Sequence, residues 1–306
     1  MLMLDVGTDV SKLNETSKHF VDEILDATGL NWNVKTSGIL YGDFGQFGDN
    51  EGGRIKALYR EDTGELIDCY RAREPRQNKE IISFFVKLLS LADLKIERVG
   101  SFGNEFLWAT AKLEDWSLQK IAVGDTTESS LLITDSHLSN NGMKMALYHT
   151  RLVCLNGATT KVKVKNLTIN HTKEGVNHRV ARECLNKVVS GLTRYKTLME
   201  GLTETPMSAD TAMLQLIQAF GDPTKSIEKQ PDTVKSIFSL FDGKAQGAEM
   251  MTAYKTAYGL LQAVTEYYSH SRHTTVENSL RRFQSLTQGT YNEKIQKVQQ
   301  QLVRLV

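Results

Sequence analysis

Three lysines alternate with two valines in one short stretch of this chain, a pattern typical of a strand that binds polyanions. The stretch, named here the lysine ladder, contains Lys161, Lys163 and Lys165. Because successive side chains of a β-strand point to opposite faces, the three ammonium groups would share one face and the valines the other. A one-sided row of cations can follow a phosphate backbone, so the first function that the sequence predicts is nucleic-acid binding.

The extended segment before the lysine ladder carries further cations and an aromatic residue. It reads MKMALYHTRLV, in which Lys144, Tyr148 and Arg151 are the candidate ligands. Alternation places Lys144 and Tyr148 on one face of a strand and Arg151 on the other, so the basic face is less regular here. We expect Lys144 and Arg151 to contact phosphates and Tyr148 to stack on a base.

A predicted helix after the lysine ladder adds a third set of cations. Its apolar residues, among them Val188 and Leu192, recur at helical spacing and indicate one buried stripe. Tyr195, together with Phe44 and Phe47 in a glycine-rich loop, is a further candidate for base stacking. The helix cations lie broadly opposite the apolar stripe and would line a groove beside the strand cations; they are Arg179, Arg182, Lys187, Arg194 and Lys196.

Charge is segregated along the chain. Residues 137–200 contain eleven Lys or Arg and three Asp or Glu, a net charge of +8, whereas the whole chain is +1 and the remainder therefore carries −7. A summed positive field of this kind attracts polyanions. Two interpretations stay open: the cations bind nucleic acid, or they form a solvated face that pairs with acidic protein surfaces. One such surface is residues 1–50 of a neighbouring subunit, which contain eight Asp or Glu and three Lys or Arg.

Two histidines and two glutamates in the C-terminal part are spaced like metal ligands. Glu266, His270, His273 and Glu277 stand four, three and four residues apart, which on one unbroken helix would align them. However, the segment from Thr274 to Glu277 is typical of a capping box that starts a new helix and breaks the alignment. We therefore expect no metal and no cofactor, and a metal-dependent enzyme using His270 is the third-ranked function.

Nucleophilic catalysis has no suitable arrangement of residues. Asp135, Ser136 and His137 are neighbours on a predicted strand. Adjacent strand residues point to opposite faces, so these three cannot relay a proton among themselves. His171 and His178 flank a predicted strand-to-helix junction and are interpreted as structural. The expected function is binding without catalysis.

The elements that would position these residues form an α+β fold. Alternating segments predict strand pairs around Thr63-Gly64, around Phe102-Gly103-Asn104 and around residues 139–142, with a helix at residues 77–92. An antiparallel sheet with helices over one face follows from that order. Further helices are predicted at residues 14–28, 176–202, 208–220, 231–241, 248–268, 276–286 and 291–305.

Three regions follow from these patterns. Residues 1–50 form an acidic N-terminal helix and a Gly/aromatic loop, residues 51–202 the α+β core, and residues 203–306 an all-helical C-terminal region. In the last helix an apolar stripe with coiled-coil-like spacing either caps the chain's own core or docks on a neighbouring copy. The stripe consists of Ile295, Val298, Leu302 and Leu305.

Composition excludes several classes of protein. With 40% hydrophobic and 24% charged residues the chain is typical of soluble globular proteins, and no window approaches the ~18 apolar residues of a membrane span. Cys69, Cys154 and Cys184 are widely spaced and predict neither a disulfide framework nor a cysteine-based zinc site. The first residues lack the features of a signal peptide, so we expect a cytoplasmic protein of a bacterial or phage-infected cell, without a membrane partner.

Five blocks of the sequence resemble, in the same order, those of the phage- and plasmid-like proteins grouped as domain of unknown function 932. The resemblance implies a context of phages and mobile elements rather than a mechanism. A β-rich core before a cationic helix is also similar in architecture to the ring-forming single-strand annealing recombinases of phages. The blocks are RAREPRQNKEIISFF, VGSFGNEFLWATAKL, ALYHTRLVCLNG, INHT and TAYGLLQAVTEYYSH, between roughly residues 50 and 275.

The charge pattern and the resemblance together predict a phage- or plasmid-type protein that binds single-stranded DNA and promotes annealing. RNA is the alternative ligand. The protein would act as a homo-oligomer, in a ring or a filament. The rival interpretation is a non-enzymatic interaction or structural protein of a mobile element.

Overall fold

The structure, a computed structural model, describes residues 7–38, 55–71, 75–117, 125–138, 143–151, 156–160, 178–271, 279–287 and 289–306. Its strands are β1 (Thr8–Asp9), β2 (Val34–Gly38), β3 (Ile55–Arg60), β4 (Leu66–Arg71), β5 (Ile96–Phe102), β6 (Phe106–Ser117), β7 (Thr126–Ser136), β8 (Lys144–Arg151) and β9 (Asn156–Thr160). Its α-helices are α1 (Phe20–Thr28), α2 (Asn78–Ser90), α3 (His178–Glu204), α4 (Ala209–Phe220), α5 (Asp232–Ser239), α6 (Ala257–Glu266), α7 (Ser279–Thr287) and α8 (Thr290–Leu302).

The described strands form two antiparallel sheets. The larger has the order β1-β5-β6-β7-β8-β9, and the smaller has the order β2-β3-β4. The α+β class and the antiparallel pairing predicted from the sequence are confirmed. The hairpin around Thr63-Gly64 is also confirmed, but it belongs to the smaller sheet, so the strands divide into two sheets rather than one. The side chain of Gln77 joins the two parts, because its amide bonds the backbone N and O of Val34 at 2.9 and 3.0 Å.

Strand register decides which residues of β7 and β8 share a face. Leu131 is paired with Leu147 and Ser129 with His149. These residues therefore lie on one face of the larger sheet, while Tyr148 points to the opposite face. The division of β8 into two faces agrees with the prediction, and its burial pattern shows that only Lys144 at the start of the strand is exposed.

Helices cover both faces of the larger sheet, so the prediction of helices over one face is wrong. On the first face, Ile81, Phe85 and Leu88 of α2 form one hydrophobic core with apolar residues of β5 to β8. On the second face, Phe283 of α7 packs against Trp108 and Tyr148. The physical reason is that Phe106 and Trp108 of β6 and Tyr148 of β8 lie on the side away from α2, where large aromatic side chains require cover.

The helices after residue 202 build a second hydrophobic core, and α3 contributes to both cores. Leu192 lies in the core of the larger sheet, whereas Tyr195, Met199 and Leu202 lie in the helical core. Three residues of the stripe predicted in the last helix are buried in the helical core: Ile295, Val298 and Leu302. Helix α8 therefore caps its own core, while Leu305 remains 44% exposed.

The region predicted as one helix at residues 248–268 is divided by the structure. Residues 248–255 form turns, and α6 begins at Ala257. Lys255 adopts a left-handed conformation with φ 51°, which a continuous right-handed helix cannot contain. Thr256 is the N-cap, because its hydroxyl accepts from the backbone N of Gly259 at 3.0 Å.

None of the described helices has both the length and the apolar character needed to cross a membrane.

Candidate nucleic-acid interface

The predicted phosphate-binding residues fall into three groups in the structure. Lys144, Lys187 and Arg194 are exposed, and Lys196 is half-buried. Arg179 and Arg182 lie on α3, and only their place on the helix is described. The lysine ladder of Lys161, Lys163 and Lys165 lies outside the described residues.

The outward face of α3 is polar and carries two of these cations. Lys187 and Arg194 are seven residues apart, which is two helical turns and roughly 10 Å along the axis. Between and beside them are small polar residues, and the buried residues Leu192 and Tyr195 lie opposite. Glu183, four residues before Lys187, adds an exposed carboxylate to the same face. The exposed residues of this face from residue 186 onward are Asn186, Lys187, Ser190, Thr193, Arg194 and Thr197.

Arg151 is an interior residue, so its predicted contact with phosphate is wrong. Its side chain is only 2% exposed and forms two hydrogen bonds with Asp125: Nε to Oδ1 at 2.6 Å and Nη2 to Oδ2 at 2.8 Å. The hydroxyl of Thr252 donates to the same carboxylate. A two-point arginine–carboxylate pair with a further donor satisfies the charges of both partners in the interior. Arg151 is therefore a structural contact between β8 and the segment before α6.

Tyr148 is also buried, so its predicted role as a base-stacking platform is wrong. Its ring packs edge-on against Phe283, with 6.0 Å between the ring centroids. Burial raises the pKa of the Tyr148 phenol well above its ordinary value. A nucleobase would have to displace α7 to reach this ring.

Tyr195 is likewise engaged in the interior, where it stacks on His149. The two rings are nearly parallel, at 3°, with centroids 3.9 Å apart. Ser129 Oγ lies 2.8 Å from Nδ1 of His149. Burial, and secondarily the charge of Lys196, lowers the pKa of His149 to about 3, so the imidazole is neutral at physiological pH. Phe44 and Phe47, the other stacking candidates, lie outside the described residues.

The sequence did not reveal the contact between Ser129 and His149. The two residues stand twenty positions apart, and only the register of β7 against β8 brings them together. The single available signal was the hairpin around residues 139–142, from which a register could have been counted.

Asp135, Ser136 and His137 use their polar atoms in three separate contacts. The carboxylate of Asp135 pairs with the guanidinium of Arg76. His137 Nε2 donates to Oδ1 of Asn78 at 2.8 Å, and Ser136 Oγ donates to the backbone O of Glu105 at 3.2 Å. Burial lowers the pKa of His137 to about 4, although the nearby Asp135 charge acts in the opposite direction. These contacts with Arg76, Asn78 and Glu105 are structural.

The carboxylate of Glu266, a candidate metal ligand, accepts a hydrogen bond from the chain itself. The backbone N of Gln246 donates to its two oxygens at 3.1 and 3.3 Å. A π-type turn, Tyr267–Ser271, follows α6, and His270 lies in that turn. His273 and Glu277 lie outside the described residues. Within the described part of the chain, no three His, Cys, Asp or Glu residues are grouped so that they could hold a metal ion.

Comparison with known protein families gives a match over most of the chain. A family model described as a domain of unknown function (DUF932) matches residues 73–301. The matched span runs from just before α2 into α8 and leaves out the strands of the smaller sheet. No curated protein and no solved structure matches the chain. The architectural similarity to annealing recombinases therefore stays a prediction.

Proposed function

The chain belongs to the DUF932 family, and on that premise we propose that it binds single-stranded DNA and promotes strand annealing as a homo-oligomer, without catalysis. The observation that carries the proposal is the outward face of α3, where Lys187 and Arg194 are exposed among small polar residues and one carboxylate, that of Glu183. This face lies within the block of residues 137–200, whose net charge is +8. A positive surface rich in small polar side chains can approach a phosphate backbone closely.

The proposed interface, named here the basic surface, differs from the set predicted from sequence because Tyr148 and Arg151 are interior. If about six of its cations contact phosphates, the logarithm of the binding constant falls with the logarithm of salt concentration with a slope near −4 for single strands. RNA is the alternative ligand, because contacts with phosphates do not distinguish the two sugars. The basic surface consists of Lys144, Lys161, Lys163, Lys165, Arg179, Arg182, Lys187, Arg194 and Lys196.

Two described features support binding over the rival functions. Among the groups suited to acid–base chemistry, His149 stacks on a tyrosine and Asp135 pairs with an arginine, both inside the protein. Two acids of the N-terminal segment, Glu15 and Asp22, pair with Lys95 and Lys79, which are outside the basic block. These two acids therefore pair with cations outside residues 137–200.

Homo-oligomerisation and a phage or plasmid context complete the proposal. Both rest on the resemblance described from the sequence. Assembly would suit a protein with a modest interface, since linking several weak contacts along one strand raises the total affinity without any new contact.

The test is binding of a labelled single strand of about 30 nucleotides across a salt series. The double change Lys187→Ala/Arg194→Ala should reduce the slope by about 1.4, since each phosphate contact contributes about 0.7. The matched control is Lys225→Ala/Lys229→Ala, which removes two cations from the loop between α4 and α5, outside the basic block. The control should leave the slope unchanged.

The lysine ladder is tested in the same experiment with the triple change Lys161→Ala/Lys163→Ala/Lys165→Ala. We expect a reduction of about 2 in the slope. The proposed function is contradicted if the protein does not bind the strand at low salt, or if both basic-surface variants bind with the slope of the control.

A further inference from the structure

The turns before α6 expose two large apolar side chains. Met251 is 73% exposed and Tyr254 is 59% exposed. Surface residues of this size are ordinarily scattered singly, whereas these two stand three positions apart in one short loop. Residues 245–255 are named here the Tyr254 loop.

Interior contacts hold the Tyr254 loop in place. Met250 Sδ lies 3.4 Å from Nη2 of Arg151, and the Thr252 hydroxyl donates to Asp125, the ion-pair partner of Arg151. The buried side of the loop is thus joined to β8, while Tyr254 is presented to solvent. An aromatic side chain on an anchored loop loses little conformational freedom when a ligand stacks on it.

The residue after Tyr254 is a cation with a strained backbone. Lys255 is not a glycine, yet its φ is 51°, in the left-handed region. Strained backbone of this kind clusters at sites of function, where the surrounding structure maintains it. The Nζ of Lys255 lies 5.2 Å from the centroid of the Tyr254 ring. The ammonium group thus lies over the ring without burying it, since Tyr254 stays more than half exposed.

Backbone contacts place the Tyr254 loop at the C-terminal end of α3. The N of Met207 donates to the O of Lys255 at 2.8 Å, and the N of Ala257 donates to the O of Thr205 at 2.9 Å. From Arg194 to the last residue of α3 the axis extends about 15 Å. That length corresponds to about four nucleotides at the base spacing of a stacked strand. Glu204 is an exposed acid at this helix end and would repel a phosphate. A phosphate bound here would therefore need a cation from the Tyr254 loop, whose one Lys or Arg is Lys255.

We infer that Tyr254 is a base-stacking platform for single-stranded nucleic acid and that Lys255 binds the phosphate beside the stacked base. The inference rests on the proposed function and adds a stacking residue to an interface otherwise made of cations. The combination of an exposed aromatic ring and an adjacent cation favours a nucleotide, which has a π-face and a phosphate close together. The alternative is that the Tyr254 loop contacts a second copy of this chain, which would give a different result in the experiment.

The test compares an oligonucleotide with an abasic strand of the same length, which has the sugar-phosphate backbone but no bases. Tyr254→Ala should weaken binding of the oligonucleotide by about 5- to 100-fold, the effect of losing one stacked base. It should leave binding of the abasic strand and the salt slope unchanged. Tyr254→Phe retains the ring and should bind as the unchanged protein does. Leu214→Ala is the matched control, because Leu214 is an exposed apolar residue on α4.

Lys255→Gln tests the second half of the inference. It should lower the salt slope by about 0.7, the contribution of one phosphate contact, for both kinds of strand. Circular dichroism and the sedimentation of each variant accompany the binding measurements.

The outcomes separate the inference from the proposed function. If the unchanged protein binds neither strand, the proposed function fails and the inference falls with it. If the protein binds the oligonucleotide but Tyr254→Ala binds it equally well, or loses both strands to the same extent, only the inference is overturned. Dissociation of an oligomer by Tyr254→Ala, with binding per subunit unchanged, would also overturn it and would assign the loop to a subunit contact.

Discussion

At the scale of single residues, the same chemistry serves two purposes in this chain. Arg151 and Arg194 are both arginines of the basic block, yet one is paired with Asp125 in the interior and the other is exposed on α3. The residues next to Arg151 in the sequence do not reveal this difference. Its interior contacts involve Asp125, which precedes β7, and Thr252, which precedes α6. A residue's charge therefore predicts a binding role only after its partners are known.

We predict that Arg151 contributes to stability and not to nucleic-acid binding. Arg151→Ala leaves the carboxylate of Asp125 buried without its charge partner, which typically costs about 3–5 kcal/mol. The free energy of unfolding, measured in urea, should fall by that amount, while the salt slope of binding stays unchanged. Lys187→Ala is the control: it should change stability by less than about 0.5 kcal/mol and should reduce the slope. A stable Arg151→Ala protein with a reduced slope would return Arg151 to the interface.

The two buried histidines predict a loss of stability in acid. The pKa values of His137 and His149 are lowered to about 4 and about 3 in the folded protein, against an ordinary value near 6.5. Between pH 6.5 and these values the unfolded chain binds more protons than the folded one, so stability falls as the pH falls. At pH 4.5 the loss should be on the order of 2–3 kcal/mol for each histidine.

Urea unfolding at pH 7 and pH 4.5 measures this effect. His149→Gln removes one of the two titrating groups and should reduce the difference between the two pH values by about half. His19 is exposed, and His19→Gln is the matched control that should leave the difference unchanged. An unchanged pH dependence in His149→Gln would show that His149 is not held neutral in the interior.

At the scale of elements, local patterns predicted most of the fold. The hairpin around Thr63-Gly64, the helix α2 and the strand pair β7–β8 all follow from periodicity and turn residues, which act over a few positions. The division into two sheets and the helix over the second face depend on which distant apolar residues meet. Phe283 of α7, for example, packs on β8 across more than a hundred residues of chain. Periodicity contains no information about such pairs.

The missed start of α6 has a local cause that can be tested. Thr256 Oγ1 accepts from the N of Gly259 and donates to the O of Thr252 at 2.7 Å, so it closes the N-terminus of the helix. Thr256→Ala should cost about 1 kcal/mol of unfolding free energy, as for other N-caps. Thr256→Ser keeps the hydroxyl and should stay within about 0.5 kcal/mol of the unchanged protein. Equal stability of the two variants would show that the cap does not fix this helix start.

At the scale of the whole molecule, the outer strands of the larger sheet are poorly suited to assembly through added strands. Of the two outer strands of the larger sheet, β1 is two residues long. The other, β9, has α6, α7 and α8 packed against it. Short or covered edge strands offer little backbone for pairing with another copy. We therefore expect copies of the chain to associate away from these two edges of the larger sheet, through other surfaces or through a shared strand of DNA.

The length of the DNA strand provides the test of assembly. If several copies bind one strand together, affinity should rise by about 10²-fold or more between strands of about 10 and about 60 nucleotides, because later contacts form at a high effective concentration. A monomer that binds independently would gain only the few-fold advantage of having more sites. Fluorescence anisotropy measures the affinities, and sedimentation of the complexes counts the copies. The change Lys187→Ala/Arg194→Ala should lower affinity for both lengths but should keep a rise with length, because it weakens each contact without removing the link between copies. The homo-oligomer would be contradicted if affinity rose with strand length only by the few-fold factor expected from the number of sites, and if one copy sedimented on each short strand. The protein would then be a monomeric binding protein.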